Sequence, residues 1–147
     1  MKKMEINEKY KHIGYSYPGV PKGWKSVVEK AMKDIEKAMW PSWIPMFIKR
    51  KIHFLATGNS VIGIKYRFWY KVRKKLTNGQ IVTDIKDKFA GLRIYGHFGP
   101  EIEEIVKQAE DECYRTCERC GGNQNVRTIG KGWLYNLCKS CRYSKKK

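Results

Sequence analysis

Four cysteines near the end of the chain stand in two C-x-x-C pairs, Cys117 with Cys120 in "CERC" and Cys138 with Cys141 in "CKSC", with seventeen residues between the pairs. A C-x-x-C turn offers two thiolates on one tight knuckle, and Zn²⁺ takes four such ligands at tetrahedral corners. The spacing fits a four-cysteine zinc ribbon. Gly121-Gly122 after the first knuckle lets the backbone fold back over the metal. "NVRTIGKGWLYNL" then supplies two short strands around the Gly130–Gly132 turn, the second entering Cys138. Four thiolates leave no position for water, so the expected centre is structural, one Zn²⁺ per chain. Its binding energy stands in for a core that the 26 residues from Cys117 to Arg142 are too few to build. The redox reading of C-x-x-C requires a thioredoxin-like βαβ setting, and no such pattern is visible. Cys113, four residues before Cys117 on a predicted helix, is expected to be a buried or free thiol rather than a fifth ligand.

Charge is the second signal. Thirty-one Lys and Arg against fourteen Asp and Glu leave +17 on 147 residues, more than solubility requires and attractive to polyanions. Nucleic acid is the first candidate, followed by an acidic protein and an anionic membrane surface; lysine excess can also reflect the base composition of a genome. Residues 113–147 hold nine basic residues and one acid. Around the cysteines, Arg115, Arg119, Arg127, Lys131, Lys139 and Arg142 are the expected phosphate contacts, and Trp133 is a stacking residue for an unpaired base.

These residues must be carried by something. With 41% apolar and 13% aromatic residues, the chain can bury a core and is not of the disordered class. Trp24, Val27, Val28, Ala31, Ile35, Ala38 and Met39 recur at helical spacing and predict a helix that "WPSWIP" ends. A second helix from about Pro45 would present Phe47, Ile48, Ile52 and Leu55 on one face and stop at Gly58. "VIGIKYRFWYKV" alternates and predicts a strand, Asn78-Gly79 a hairpin turn, "QIVTDIKDKF" the return strand and "GLRIYGHF" a third. Gly99-Pro100 opens another helix, with acids early and Ile102, Ile105, Val106 and Ala109 along one side, which leads directly to Cys117.

In the predicted first strand, Lys65, Arg67, Trp69, Lys71 and Arg73 share one face, a positive surface with an aromatic suited to single-stranded nucleic acid; a merely solvated face accounts for it equally. Trp40, Trp43 and Phe47 in "WPSWIPMF" read as core between helix and sheet in preference to an interface. Catalysis finds little support. His12, His53 and His97 are widely spaced and form no metal-protease or deaminase pattern. Asp84, Asp87 and Lys88 in "TDIKDK" admit a carboxylate-metal nuclease site, with a solvated hairpin end as the plainer account.

"KFAGLRIY", the acidic helix after it, and "GWLYNLCKSC" resemble a group of small, functionally uncharacterised zinc-ribbon proteins encoded mostly by phages and prophages. The resemblance runs from about Trp40 to Arg142 and leaves the first forty residues outside it. It implies a phage origin, and hence the cytoplasm of a bacterial host, and it carries over the four cysteines and nothing catalytic. "MKKMEINEKYKHIGY" has no apolar signal region, and no run of about 18 apolar residues suggests a membrane span; reduced thiols then favour metal over disulfides.

The expected fold is α+β. N-terminal helices and one later helix lie on a three-stranded antiparallel sheet as a basic body, residues 1–112. A four-cysteine zinc ribbon with a basic tail follows in 113–147. The expected role is non-enzymatic binding of nucleic acid or a host nucleoprotein complex, the alternative being a protein-protein inhibitor of a host transcription or defence complex. Oligomeric state is not legible.

Overall fold

The computed structural model of the chain describes residues 9–14, 19–57 and 64–143, with the side chains of residues 64–66 left aside. Residues 1–8 of the leading segment, Gly58 as the expected helix stop, residues 61–63 of the predicted strand and the end of the basic tail lie outside those residues.

Helix α1 runs Lys25–Met39, α2 Met46–Thr57 and α3 Ile64–Thr77. A hairpin follows, β1 Ile81–Lys88 against β2 Gly91–His97, then α4 Pro100–Tyr114. The C-terminal segment holds β3 Arg127–Ile129, β4 Tyr135–Leu137 and one turn of helix, α5 Lys139–Arg142. The architecture is α+β, but the strands among the described residues form two two-stranded antiparallel sheets, β1-β2 and β3-β4. No described helix is long and apolar enough to cross a membrane.

The three-stranded sheet is corrected by α3. The segment predicted as a basic strand is helical from Ile64 onward. Its alternation coexists with a 3.6 period, in which Trp69, Val72 and Leu76 turn toward the core and Arg73 and Thr77 are buried beside them. Helix satisfies its backbone internally, whereas a strand here would have needed a neighbour. Asn78-Gly79 therefore ends a helix instead of turning a hairpin. Both residues are left-handed (φ 55° and 73°), and the Gly79 N–H reaches back over the last turn to the Lys74 carbonyl at 2.8 Å, as helix C-terminal caps do. The hairpin turn falls at Phe89-Ala90, both at positive φ (54° and 60°), between the paired Lys88 and Gly91. This is type I′ geometry on two residues that carry a Cβ, a strained choice.

Neither edge of the hairpin is bare. β1 is met by parallel bridges from Gly14 to Val82 and from Gly19 to Lys86. On the other side α4 packs along β2, and the Ile94 N–H donates to Glu110 Oε2 at 3.3 Å. Trp24, Val28, Met32 and Ile35 of the first helical stretch bury against Val82, Ile85, Leu92 and Ile94 of the hairpin and Ile102 of α4, forming the main core.

In α2 the expected face is rotated. Lys49, Ile52 and Ala56 point inward, while Phe47 is 70% exposed and Trp43 just before the helix 77%. Only Trp40 of that aromatic group is core. The cause is electrostatic. Glu36 is buried on α1, and its carboxylate takes Lys49 Nζ in a short ion pair and lies 3.3 Å from His12 Nε2. Burying a lone carboxylate would cost several kcal/mol, so α2 turns its lysine in and its phenylalanine out. Burial alone would raise the Glu36 pKa, but the contacts from His12 and Lys49 outweigh it and hold the carboxyl below its ordinary range.

Candidate metal centre and basic surface

The site is assembled by two knuckles. Helix α4 ends with Arg115 and Thr116, whose amides cap back to the Glu112 and Cys113 carbonyls. The chain then turns at Cys117. The Gly121 N–H donates to the Cys117 carbonyl at 2.9 Å and the Cys117 N–H to the Gly122 carbonyl at 2.7 Å, closing the first knuckle, with Gly121 at φ 80°. The second knuckle follows β4. There the Arg142 N–H returns to the Cys138 carbonyl at 2.9 Å across the single turn of α5.

The thiol sulfurs of Cys117, Cys120, Cys138 and Cys141 lie within 4.8 Å of one another, and Cys120 and Cys138 are 3.6 Å apart. A tetrahedral metal with bonds of about 2.3 Å requires sulfur–sulfur edges of about 3.8 Å, so four soft donors at these separations can hold a metal ion. None of the cysteines is in a disulfide. At Cys117 burial opposes ionisation, but N–H groups of Cys120, Cys138 and Arg119 outweigh it and bring the thiol down to about 6. Burial and the neighbouring sulfurs push Cys141 up to about 12. At Cys120 the Gly122 N–H favours the thiolate, yet burial and the Cys138 and Cys117 sulfurs prevail and raise it. Cys117 forms its thiolate readily while Cys120 and Cys141 resist the accumulating negative charge, a conflict that a bound cation resolves. Cys113 stands apart in the main core. Burial, with Glu112 and Glu110 nearby, drives it up to about 12, the state of an inert thiol.

The ribbon has its own small cluster of Cys117, Leu137 and Cys138, with Val126 and Cys141 against it. It is nevertheless seated on the body. The Gly23 N–H donates to the Glu118 carbonyl at 2.9 Å and Trp24 Nε1 to the Thr116 carbonyl at 3.0 Å. A Cβ on Gly23 would come within 2.3 Å of the Cys117 carbonyl oxygen, so only glycine fits there. Asn136, fully buried, is the joint. Its amide Nδ2 donates to the Ala90 carbonyl in the strained turn, its Oδ1 accepts from Thr128 Oγ1 at 2.6 Å, and its backbone exchanges hydrogen bonds with Glu118. Burial and the charge of Asp87 raise the Glu118 pKa, against the pull of Asn136 and Arg119. Nothing in the sequence singled out Asn136 or Gly23; the one available signal was Glu118, the lone acid of the last 30 residues.

The expected contact residues divide in two. Arg115, Arg127, Lys131 and Lys139 are exposed, and Trp133 is 66% exposed. Arg119 and Arg142 are half-buried and already occupied, Arg119 Nη1 with the Cys141 carbonyl (3.2 Å) and Arg142 Nη1 with the Leu137 and Asn125 carbonyls (2.9 and 2.6 Å). They brace the second knuckle.

The residues predicted to share a strand face do not share one. Arg67 and Lys71 are exposed on α3, Trp69 packs on the core, and Lys65 lies in the first turn of α3, where the structure describes backbone alone. Arg73, 5% exposed, points inward. Among the histidines, His12 and His53 converge on that guanidinium while His97 is exposed at the end of β2. Asp84 pairs with Lys86 at 3.5 Å, and Asp87 reaches instead toward the Glu118 side. Among the described residues, the four cysteines are the group of potential ligands that comes together. No protein-family model, curated protein or solved structure matches this chain.

Proposed function

We propose that the chain is a phage-derived accessory protein that binds nucleic acid, or a nucleoprotein assembly of its bacterial host, without catalysing a reaction, and that its metal centre is a structural Zn²⁺. Four sulfur ligands favour zinc over hard cations and fill its coordination shell. The observation that carries the reading is the outer surface of the ribbon. Arg127, Lys131, Lys139 and Trp133 are each exposed in that segment, and its lone acid, Glu118, is buried. Cations without counter-charges attract phosphates, and an exposed indole stacks on unpaired bases.

The test is salt dependence. Affinity for nucleic acid should fall steeply with salt, each phosphate contact contributing about 0.9 to the slope for duplex DNA and about 0.7 for a single strand. Replacing Arg127 and Lys131 with Ala should reduce that slope by about 1 to 2 and weaken all sequences alike. Trp133→Ala should cost about 1–3 kcal/mol on single strands with the slope unchanged. A double variant that binds as tightly as the parent, at the same slope, would remove the ribbon from the interface.

A second reading, an inhibitor that occupies a host protein complex, is favoured by the exposure of Trp43 and Phe47, aromatics of the kind that anchor protein interfaces. Under that reading the protein purifies without nucleic acid and captures a host complex even after nuclease treatment.

A further inference from the structure

We propose that the body carries a second, separate anion site, specific for a single phosphate group, in the cavity between the end of α2, the last turns of α3 and the open end of the hairpin. The cavity measures about 140 Å³ and is lined by Thr57, Tyr70, Arg73, Lys74, Ile81 and His97. Water occupies ~30 Å³ in the liquid, so the space admits a phosphate-sized anion.

The argument begins with Arg73. Its guanidinium is permanently charged and has five N–H donors. Nε–H donates to His53 Nδ1 at 3.0 Å, Nη1 to the Gln80 carbonyl at 3.3 Å, and Nη2 to the His12 carbonyl at 3.1 Å with Met39 Sδ at 3.9 Å. The Trp40 ring lies beneath it, 5.6 Å from the guanidinium carbon. Every one of these partners is neutral. His53 accepts at Nδ1, and burial together with Arg73 lowers its pKa to about 3, so it adds no charge of its own. Glu36, the carboxylate buried in the same region, is committed to Lys49 and His12. Among the described residues no acid lies within ion-pair distance of Arg73.

A buried cation without a counter-charge costs several kcal/mol, and the cost shows in Arg73, which burial lowers to about 10. Here Arg73 lines a cavity and, among the described residues, has acceptors for four of its five donors; the exposed Lys74 and the imidazole of His97 line the same cavity. Three nitrogen-bearing side chains lining one cavity suit the several oxygens of one phosphate better than the flat pair of a carboxylate. Past His97 the adjoining hollow is lined by Asn78, Gln80 and Glu101. The Glu101 carboxylate repels a second phosphate, so the site takes one group and is no track for a continuous backbone.

The site does not rest on the ribbon reading. It lies at the Ile81–His97 end of the hairpin, while the ribbon docks on the turn at the other end, about 20 Å away along the length of β2.

The test uses the full, metal-loaded chain and inorganic phosphate, followed by ³¹P NMR line broadening and by melting temperature against chloride at matched ionic strength. Phosphate is expected to broaden and to raise the melting temperature. The Lys74→Gln/His97→Gln variant changes two exposed residues, so it should fold as the parent does. It is expected to weaken phosphate binding at least tenfold, whereas the Arg127→Ala/Lys131→Ala variant leaves it unchanged. Equal behaviour in phosphate and chloride, or equal affinity in parent and Lys74/His97 variant, would overturn the site. A 5′-phosphorylated oligonucleotide that displaces phosphate where its unphosphorylated twin does not supports the site and assigns it to strand ends. Displacement by neither supports a site for free phosphate or small phosphate esters. Displacement by both alike would overturn it in favour of a diffuse basic surface.

Discussion

The body and the ribbon handle positive charge in opposite ways. The body draws Lys49 and Arg73 inside and surrounds them with Glu36, carbonyls and an indole. The ribbon keeps Arg127, Lys131 and Lys139 outside and builds its interior from cysteine and two aliphatic residues. Buried cations shape the body by deciding which face of α2 and α3 turns inward. Exposed cations take no part in the ribbon's interior, which rests on the clustered cysteines, and stay at the surface. Net charge, the most conspicuous property of the chain, therefore reports two different things in its two parts.

The largest effect should come from removing the ribbon's substitute for a core. Chelation, or Cys138→Ser, should unfold residues 117–142, because structural zinc contributes about 10–16 kcal/mol in isolated finger peptides at neutral pH. The main core contains none of the four clustered cysteines, so the helical circular dichroism of the body should survive. Its complete loss would show that Asn136 and Trp24 bind the two parts into one cooperative unit, and the contrast between them would fail. Cys113→Ser should leave the metal in place.

Next comes the body's own device. Lys49→Met strands a buried carboxylate on Glu36 and should cost about 3–5 kcal/mol in urea unfolding, while the double change Glu36→Leu/Lys49→Met should recover much of it. If Lys49→Met alone is harmless, the buried pair does not set the orientation of α2.

Acid should separate the parts by a third measure. His53 has its folded pKa depressed to about 3, and His12 is lowered by burial despite Glu36. A histidine with an unfolded pKa of about 6.5 then binds its proton more readily in the unfolded chain. Stability is present above that value and is lost as pH falls toward the folded pKa. The expected loss is up to about 1.4 kcal/mol per pH unit for each such group. His53→Gln should flatten the stability curve between about pH 6 and 4, because one fewer proton is taken up on unfolding; an unchanged curve would remove His53 from the account.

The smallest effect concerns the turn that joins the two parts. Replacing Phe89-Ala90 with Asn-Gly relieves two left-handed residues and should stabilise the chain by about 1 kcal/mol. Destabilisation would mean that the Ala90 methyl, packed at the joint, outweighs the strain.

Much of this was legible in the residues. The two C-x-x-C pairs, the paired strands between them, α1, α4 and the strands of the hairpin all follow from spacing. Three features do not. "YRFWYKVRKKL" satisfies a period of 2 and a period of 3.6 at once, and the choice is made by which residues meet α2 and the core. Asn78-Gly79 supplies left-handed residues equally to a hairpin or a helix end, so the turn chemistry was recognised but its use was not. The inward turn of Lys49 and Arg73 depends on Glu36 and on the His12 carbonyl, partners thirteen and sixty-one residues away. Such pairings leave no periodic trace.

The contact between Trp24 and Thr116 spans ninety-two residues. Chains emerge from the ribosome at roughly 5–20 residues per second, so the indole N–H waits about 5–20 s, by that rate, before its acceptor exists. Closure of the seat between Gly23 and the first knuckle consequently follows the synthesis of α1, the hairpin and α4, which are by then available to collapse. Contacts of such long sequence separation form slowly because the loop must close before they reward it. The seat of the first knuckle is thus completed only after the elements of the body that receive it have been synthesised.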